Sequence, residues 1–203
     1  MNKPVIFHRY KGKEQMNIIS YSIVYKDIFS LDDFLALLHG WLVENEYASG
    51  DDYEFREDFY LQRESPRTGK QIQIRWRVHK VPSDTKKTKL YRYDFDIDID
   101  VRGMQQVEFM HEGKKATADK GELEIQVTGN LVIDYEEAWK NHPWLKRYKK
   151  FIIHTWLKSQ TKEQKGELDK EGKRLQDFIK EHLKMKDYGP GQLKYYNPTR
   201  PPR

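Results

Sequence analysis

The residues whose type and spacing could do chemistry are four aspartates. In "YRYDFDIDIDVRG", residues 91–103, Asp94, Asp96, Asp98 and Asp100 alternate with Tyr93, Phe95, Ile97 and Ile99. A strand sends successive side chains to opposite faces, so the four carboxylates share one face, with Arg92 and Arg102 at its ends. Clustered carboxylates are what hard divalent cations and polyphosphate chemistry require. Same-face neighbours on one strand stand about 7 Å apart, too far for two of them to chelate one cation without oxygens from a second strand. The spacing suits a neighbouring strand of opposite sign. "QIQIRWRVHK", 71–80, carries Arg75 and Arg77 on its polar side. A hairpin closed by "VPSDTKKTKL" sets Arg77 opposite Asp94 and Arg75 opposite Asp96 by parity, each pair contributing a few tenths to about 1 kcal/mol. The six residues form a structural charge ladder on this reading. The continuous apolar side of the strand predicts the core there and the Asp face toward solvent.

A divalent-metal phosphohydrolase using the Asp ladder with Arg75 and Arg77 stays open as an alternative, on condition that the sheet closes into a tunnel. The Glu-x-Glu-x-Lys signature of triphosphate tunnel enzymes is absent. His8, His39, His79, His111, His142, His154 and His182 are scattered, and no His-x₃-His pair occurs. "HEGKK" at 111–115 lacks the second histidine of a metalloprotease motif, and neither a Walker loop nor a Gly-x-Ser-x-Gly elbow is present. The reading leans away from an enzyme: no catalytic residue, no metal ligand and no cofactor is expected.

Positive charge is a stronger signal. The chain of 203 residues carries +5, but residues 137–203 hold 17 basic against 8 acidic side chains, a local +9. Such a third on a near-neutral body points to a polyanionic partner. Two clusters concentrate it. The expected hairpin 66–92 contributes Arg67, Lys70, Lys80, Lys86, Lys87 and Lys89, suited to a phosphate backbone or to guarding a sheet edge. The helix near 146–150 contributes Lys146, Arg147, Lys149 and Lys150 beside Trp144, Tyr148 and Trp156. That combination serves RNA or an anionic surface, although the aromatics are expected to pack as core. The specific signatures of RNA- and DNA-binding folds are missing.

These groups must be positioned by a sheet and helices. Alternating stretches at 4–9, 17–26, 53–64, 71–80, 91–101, 107–118 and 121–135 predict strands, with a tight hairpin at Glu112-Gly113. Tyr53, Phe55, Phe59 and Leu61 are expected on one face. Ser30 is a fitting N-cap for a helix whose stripe is Leu31, Phe34, Leu35, Leu38, Trp41 and Leu42. After Asn141 the period becomes helical. One helix places Trp144, Leu145, Tyr148, Phe151, Ile152, Thr155 and Trp156 on an apolar face. A second, from about 163 to 186, turns Leu168, Leu175, Phe178, Ile179, His182 and Leu183 inward, weakened at its start by Gly166 and Gly172. The class is α+β: a long antiparallel, helix-grip-like sheet with one N-terminal helix and two C-terminal amphipathic helices covering it. Residues 1–187 form one domain, and 188–203 an extended Pro-rich basic tail in which Tyr195, Tyr196, Arg200 and Arg203 would meet a partner. Cysteine is absent, which removes disulfides and Cys-based zinc sites. No apolar run nears the roughly 18 residues of a membrane span, and no signal-peptide h-region opens the chain. A soluble cytoplasmic protein is expected.

The blocks "DID", "VEFMHEGKK", "KGELEI", "HPWLK" and "LQDFIK", in this order across about 94–183, resemble a family of archaeal proteins of about this length from small-genome lineages. The resemblance implies a cytoplasmic archaeal protein and carries no assigned function. The expectation is therefore a non-enzymatic binding protein for RNA or a ribonucleoprotein, with the ribosome as one candidate partner, gripping phosphates through the basic hairpin and helix face. The alternative outside enzymology is a self-assembling homo-oligomer using sheet edges and the tail.

Overall fold

In the computed structural model the described residues are 14–48, 55, 57–65, 69–83, 90–111, 114–136, 139, 144, 147–148 and 151–183, with side chains outside 108–111 and 114–117. The strands are β1 (Glu14–Phe29), β2 (Glu57–Ser65), β3 (Gly69–Lys80), β4 (Tyr91–His111) and β5 (Lys114–Ile133). They form one antiparallel sheet in the order β1-β5-β4-β3-β2. Helix α1 (Leu31–Glu44) leads from β1 at one edge to β2 at the other, and α2 (Lys158–His182) follows a single π-turn at Ile152–Trp156. The class is α+β, and the sheet is open, so the Asp face lines no closed tunnel among the described residues.

Alternation decides the layers. Ile72, Ile74, Trp76 and Val78 of β3 are buried on one face of the sheet. So are Tyr91, Tyr93, Phe95, Ile97, Ile99 and Val101 of β4 and Leu123, Ile125, Val127, Leu131 and Ile133 of β5. Helix α1 closes over this face with Leu31, Phe34, Leu38 and Leu42, and the Ser30 hydroxyl accepts from the Asp33 N–H as its cap. Helix α2 adds Leu168, Leu175 and Ile179 to the same core. β4 and β5 pair antiparallel up to His111 opposite Lys114, while the expected turn residues Glu112 and Gly113 lie outside the described residues.

Three expectations change. The charge ladder has the right parity but a different register: Arg77 faces Asp96, Arg75 faces Asp98, and His79 faces Asp94. Ten residues separate β3 from β4, too long a connection to dictate register as a tight turn does; side-chain alternation alone leaves two-residue slips open. On β2 a register shift between Glu57 and Phe59 breaks the proposed apolar face. Phe55 packs edge-on to Trp76 at 4.8 Å in the core, whereas Phe59 faces Arg75, whose guanidinium lies 5.2 Å above its ring, on the opposite side. Tyr53 is outside the described residues. Finally, the aromatic residues before α2 do not cover the sheet. Among the described residues of that segment, only Ile152 and Ile153 are buried.

Gly172 has a meaning its helix propensity hides. A Cβ there would stand 2.8 Å from Ile19 Cγ2, and one at Gly129 of β5 would stand 2.6 Å from the same atom and 2.8 Å from Phe95. The two glycines let α2 approach β1 and β5 closely. Gly172→Val is expected to destabilise the fold by about 1–3 kcal/mol through overpacking, whereas Gly166→Ala, in open space on the same helix, stabilises it by about 0.5–1 kcal/mol. Urea unfolding of the two variants checks this. A second glycine effect bends β4: Gly103 has φ +64 inside a register shift between Arg102 and Gln105. From Gln105 onward, among the described residues, β4 pairs only with β5.

Candidate nucleic-acid interface

The polar face of the sheet carries the aspartates, and its charges are mutually engaged. Arg92 holds Asp94 through two parallel bonds, Nε to Oδ1 at 2.7 Å and Nη2 to Oδ2 at 2.8 Å, and Asp94 is completely buried. The expectation of a solvent-facing Asp row therefore fails at this end. Arg77 is the hub of the middle. Its Nη2 donates to Asp98 at 2.6 Å, its Nε lies 3.5 Å from Asp96, and its Nη1 donates to the carbonyls of Trp76 and Ile97. Asn130 of β5 donates to Asp96 at 3.1 Å, and Arg75 stands 3.9 Å from Asp98. Asp100 differs: among the described residues its carboxylate makes no hydrogen bond or ion pair, and its cross-strand partners are Gln73 and Glu124. Burial pushes its carboxyl above the usual range; Arg102 opposes this, and Glu124 and Asp98 reinforce it. Arg102 reaches Glu124 instead, at 2.8 Å. Among the described residues no group of three or more His, Asp or Glu side chains is placed to hold a metal ion.

A second polar set sits where sequence reasoning placed only apolar packing. Four tyrosine hydroxyls point from the core face at α2. Tyr91 meets the Thr161 hydroxyl at 2.8 Å, Tyr93 donates to the Gln164 carbonyl oxygen at 2.7 Å, and Tyr21 donates to the Gly172 carbonyl at 3.3 Å. Tyr47, just past α1, donates a hydrogen bond to Glu171. Burial pushes the phenols of Tyr21, Tyr47 and Tyr91 up, and beside Tyr47 the Glu171 charge adds to it, so these hydroxyls stay protonated donors. Lys80, expected among the phosphate-gripping residues, reaches inward to the other Glu171 oxygen at 2.9 Å, with its ammonium 5.4 Å above the Tyr47 ring. The seam was foreshadowed by Thr161, Gln164 and Glu171, which interrupt the apolar stripe of α2 at its own spacing.

Of the remaining basic residues, Lys70 stands at the start of β3, half-buried opposite Met104. Arg67, Lys86, Lys87, Lys89, Lys146, Lys149 and Lys150 lie outside the described residues, as do Tyr195, Tyr196, Arg200 and Arg203 of the tail. Arg147 is exposed and helical, its guanidinium 6.0 Å above the Tyr148 ring.

Around Arg147 the structure overturns the expectation of an aromatic core. Trp144 is 57% exposed, Tyr148 41%, Phe151 57% and Trp156 69%, and the rings of Trp144 and Tyr148 stand 5.4 Å apart. Their aliphatic neighbours Ile152 and Ile153 turn inward. Lys158 and Lys162 follow on the exposed side of α2. Large exposed aromatics grouped this way mark a binding surface more often than chance exposure does. The cue missed in the sequence is the π-turn, which takes one residue more than an α-turn and breaks the helical stripe.

Comparison with known proteins found no matching family model, no matching curated protein and no matching solved structure. No helix among the described residues is long and apolar enough to cross a membrane.

Proposed function

We infer that the protein is a non-enzymatic, cytoplasmic RNA- or ribonucleoprotein-binding protein whose contact surface is the aromatic and basic segment 144–162. The single observation that carries this reading is the exposure of Trp144, Tyr148, Phe151 and Trp156 beside Arg147. Aromatic faces and cations together are what nucleic-acid surfaces use: bases stack on rings while Arg and Lys neutralise phosphates. The excess of basic residues in 137–203 supports it, with Lys158 and Lys162 extending the cationic flank. The Asp–Arg face supports no catalytic alternative, because its acids are matched to Arg75, Arg77, Arg92 and Asn130 except at Asp100.

The test is an RNA titration of the full chain across a salt series. Affinity is expected to fall with a log–log slope of about −0.7 per phosphate contacted on a single strand, and Arg147→Gln to make the slope shallower by about one contact. No binding at low salt, or a flat salt response, overturns the reading.

A further inference from the structure

We propose that Trp144, Tyr148, Phe151 and Trp156 form one stacking ladder for unpaired RNA bases, and that the π-turn is what brings the fourth ring into line. The proposal rests on the RNA reading above and narrows it to single strands.

Trp144, Tyr148 and Phe151 are each helical and are spaced i, i+4, i+7 in the sequence, and the Trp144 and Tyr148 rings stand 5.4 Å apart. Trp156 does not fit. At about 100° per residue an unbroken α-helix would carry it about 120° around from Trp144, away from the other rings. The chain instead closes a turn with the Leu157 N–H donating to the Ile152 carbonyl at 3.0 Å, five residues back. One extra residue per turn returns position 156 over position 151, as i+4 lies over i in an α-turn. Trp156 thereby becomes the most exposed large apolar side chain among the described residues.

The partner's chemistry follows from what the segment shows and what it hides. A duplex keeps its base faces stacked inside, so rings in a row can be covered only by bases that are splayed out. Arg147 over Tyr148 supplies a cation at the ladder itself. An anionic membrane would draw on the same charge and on the same Trp and Phe, but an interfacial helix buries Leu-type aliphatic residues along with them. Here Ile152 and Ile153 are buried in the protein, and the exposed large apolar side chains of the segment, among the described residues, are all aromatic.

The experiment compares a short oligouridylate with a hairpin duplex of equal phosphate number, read by intrinsic tryptophan fluorescence and by anisotropy of the labelled RNA. Anionic phosphatidylglycerol vesicles form a third arm. The oligouridylate is expected to quench tryptophan emission and to bind more tightly than the duplex. Trp144→Ala and Trp156→Ala should each weaken it about tenfold with an unchanged salt slope. Trp156→Phe should restore most of the loss, and Tyr60→Ala, an exposed aromatic on β2, should change nothing. Equal binding of both RNAs with neutral ring variants overturns the ladder and leaves the RNA reading standing. Binding of vesicles but neither RNA overturns both.

Discussion

Glu171→Ala is expected to lower the unfolding free energy by about 3 kcal/mol, among the largest effects of any single polar substitution in the chain. Glu171 accepts from Tyr47 and from Lys80, and the Glu171 and Lys80 side chains are respectively 16% and 17% exposed. Truncation strands a half-desolvated ammonium and a buried phenol, and removing one member of such a set typically costs 3–5 kcal/mol; the residual exposure argues for the lower end. Glu171→Gln retains an acceptor and should lose less. The decisive comparison is the triple variant Glu171→Ala, Lys80→Met, Tyr47→Phe, which leaves no polar group unpaired and should recover more than half of the loss. Guanidinium unfolding measures all three. A loss below about 1 kcal/mol for Glu171→Ala would show that the clamp between α2, β3 and the end of α1 is not a stabilising unit.

The four aspartates should not behave as a set. Asp94→Ala leaves Arg92 unpaired next to a completely buried site and should cost about 3–5 kcal/mol. Asp98→Ala, at a carboxylate 28% exposed whose Arg77 keeps Asp96, should cost about 1 kcal/mol or less. Asp100→Asn should have the opposite sign. Its carboxyl titrates higher in the folded chain than in the unfolded one, so the folded state holds the proton more tightly and ionisation disfavours folding. The penalty is absent below the unfolded value near 4 and grows as pH rises through the folded one. Removing the charge should therefore stabilise the protein at pH 7 by a few tenths to about 1 kcal/mol, the scale of a like-charge cross-strand pair, and do nothing near pH 3. Thermal unfolding at the two pH values is the measurement. A uniform loss across the row would contradict the geometry.

Much of the architecture was legible because alternation and helical stripes report burial directly. The β4 row Tyr91 to Val101 and the α1 stripe from Leu31 to Leu42 lie where the pattern puts them. Register was legible only to parity: Arg77 had to face an aspartate, but Asp96 rather than Asp94 follows from the full sheet. The seam of tyrosines was hidden because a tyrosine in an apolar row reads as a ring, while its hydroxyl needs a partner that only the docked α2 supplies. The aromatic segment misled for a related reason. Spacing cannot say which side of a helix meets the sheet, and the π-turn at Ile152–Trp156 shifts the stripe by one residue.

The strand order has a consequence in time. Among the described residues β1 is an edge strand that pairs only with β5, through residues 119–133, so it waits for the strand made last of the five. At about 5–20 residues per second the interval on the ribosome is on the order of 5–20 s. Throughout it "MNIISYSIVY", residues 16–25, is exposed, rich in β-formers and without a single charge. The folded sheet gives this segment a partner on one side and α2 on its face; the nascent chain has neither. The time β1 spends unpaired is thus a window for aggregation during synthesis that the stability of the finished sheet does not measure.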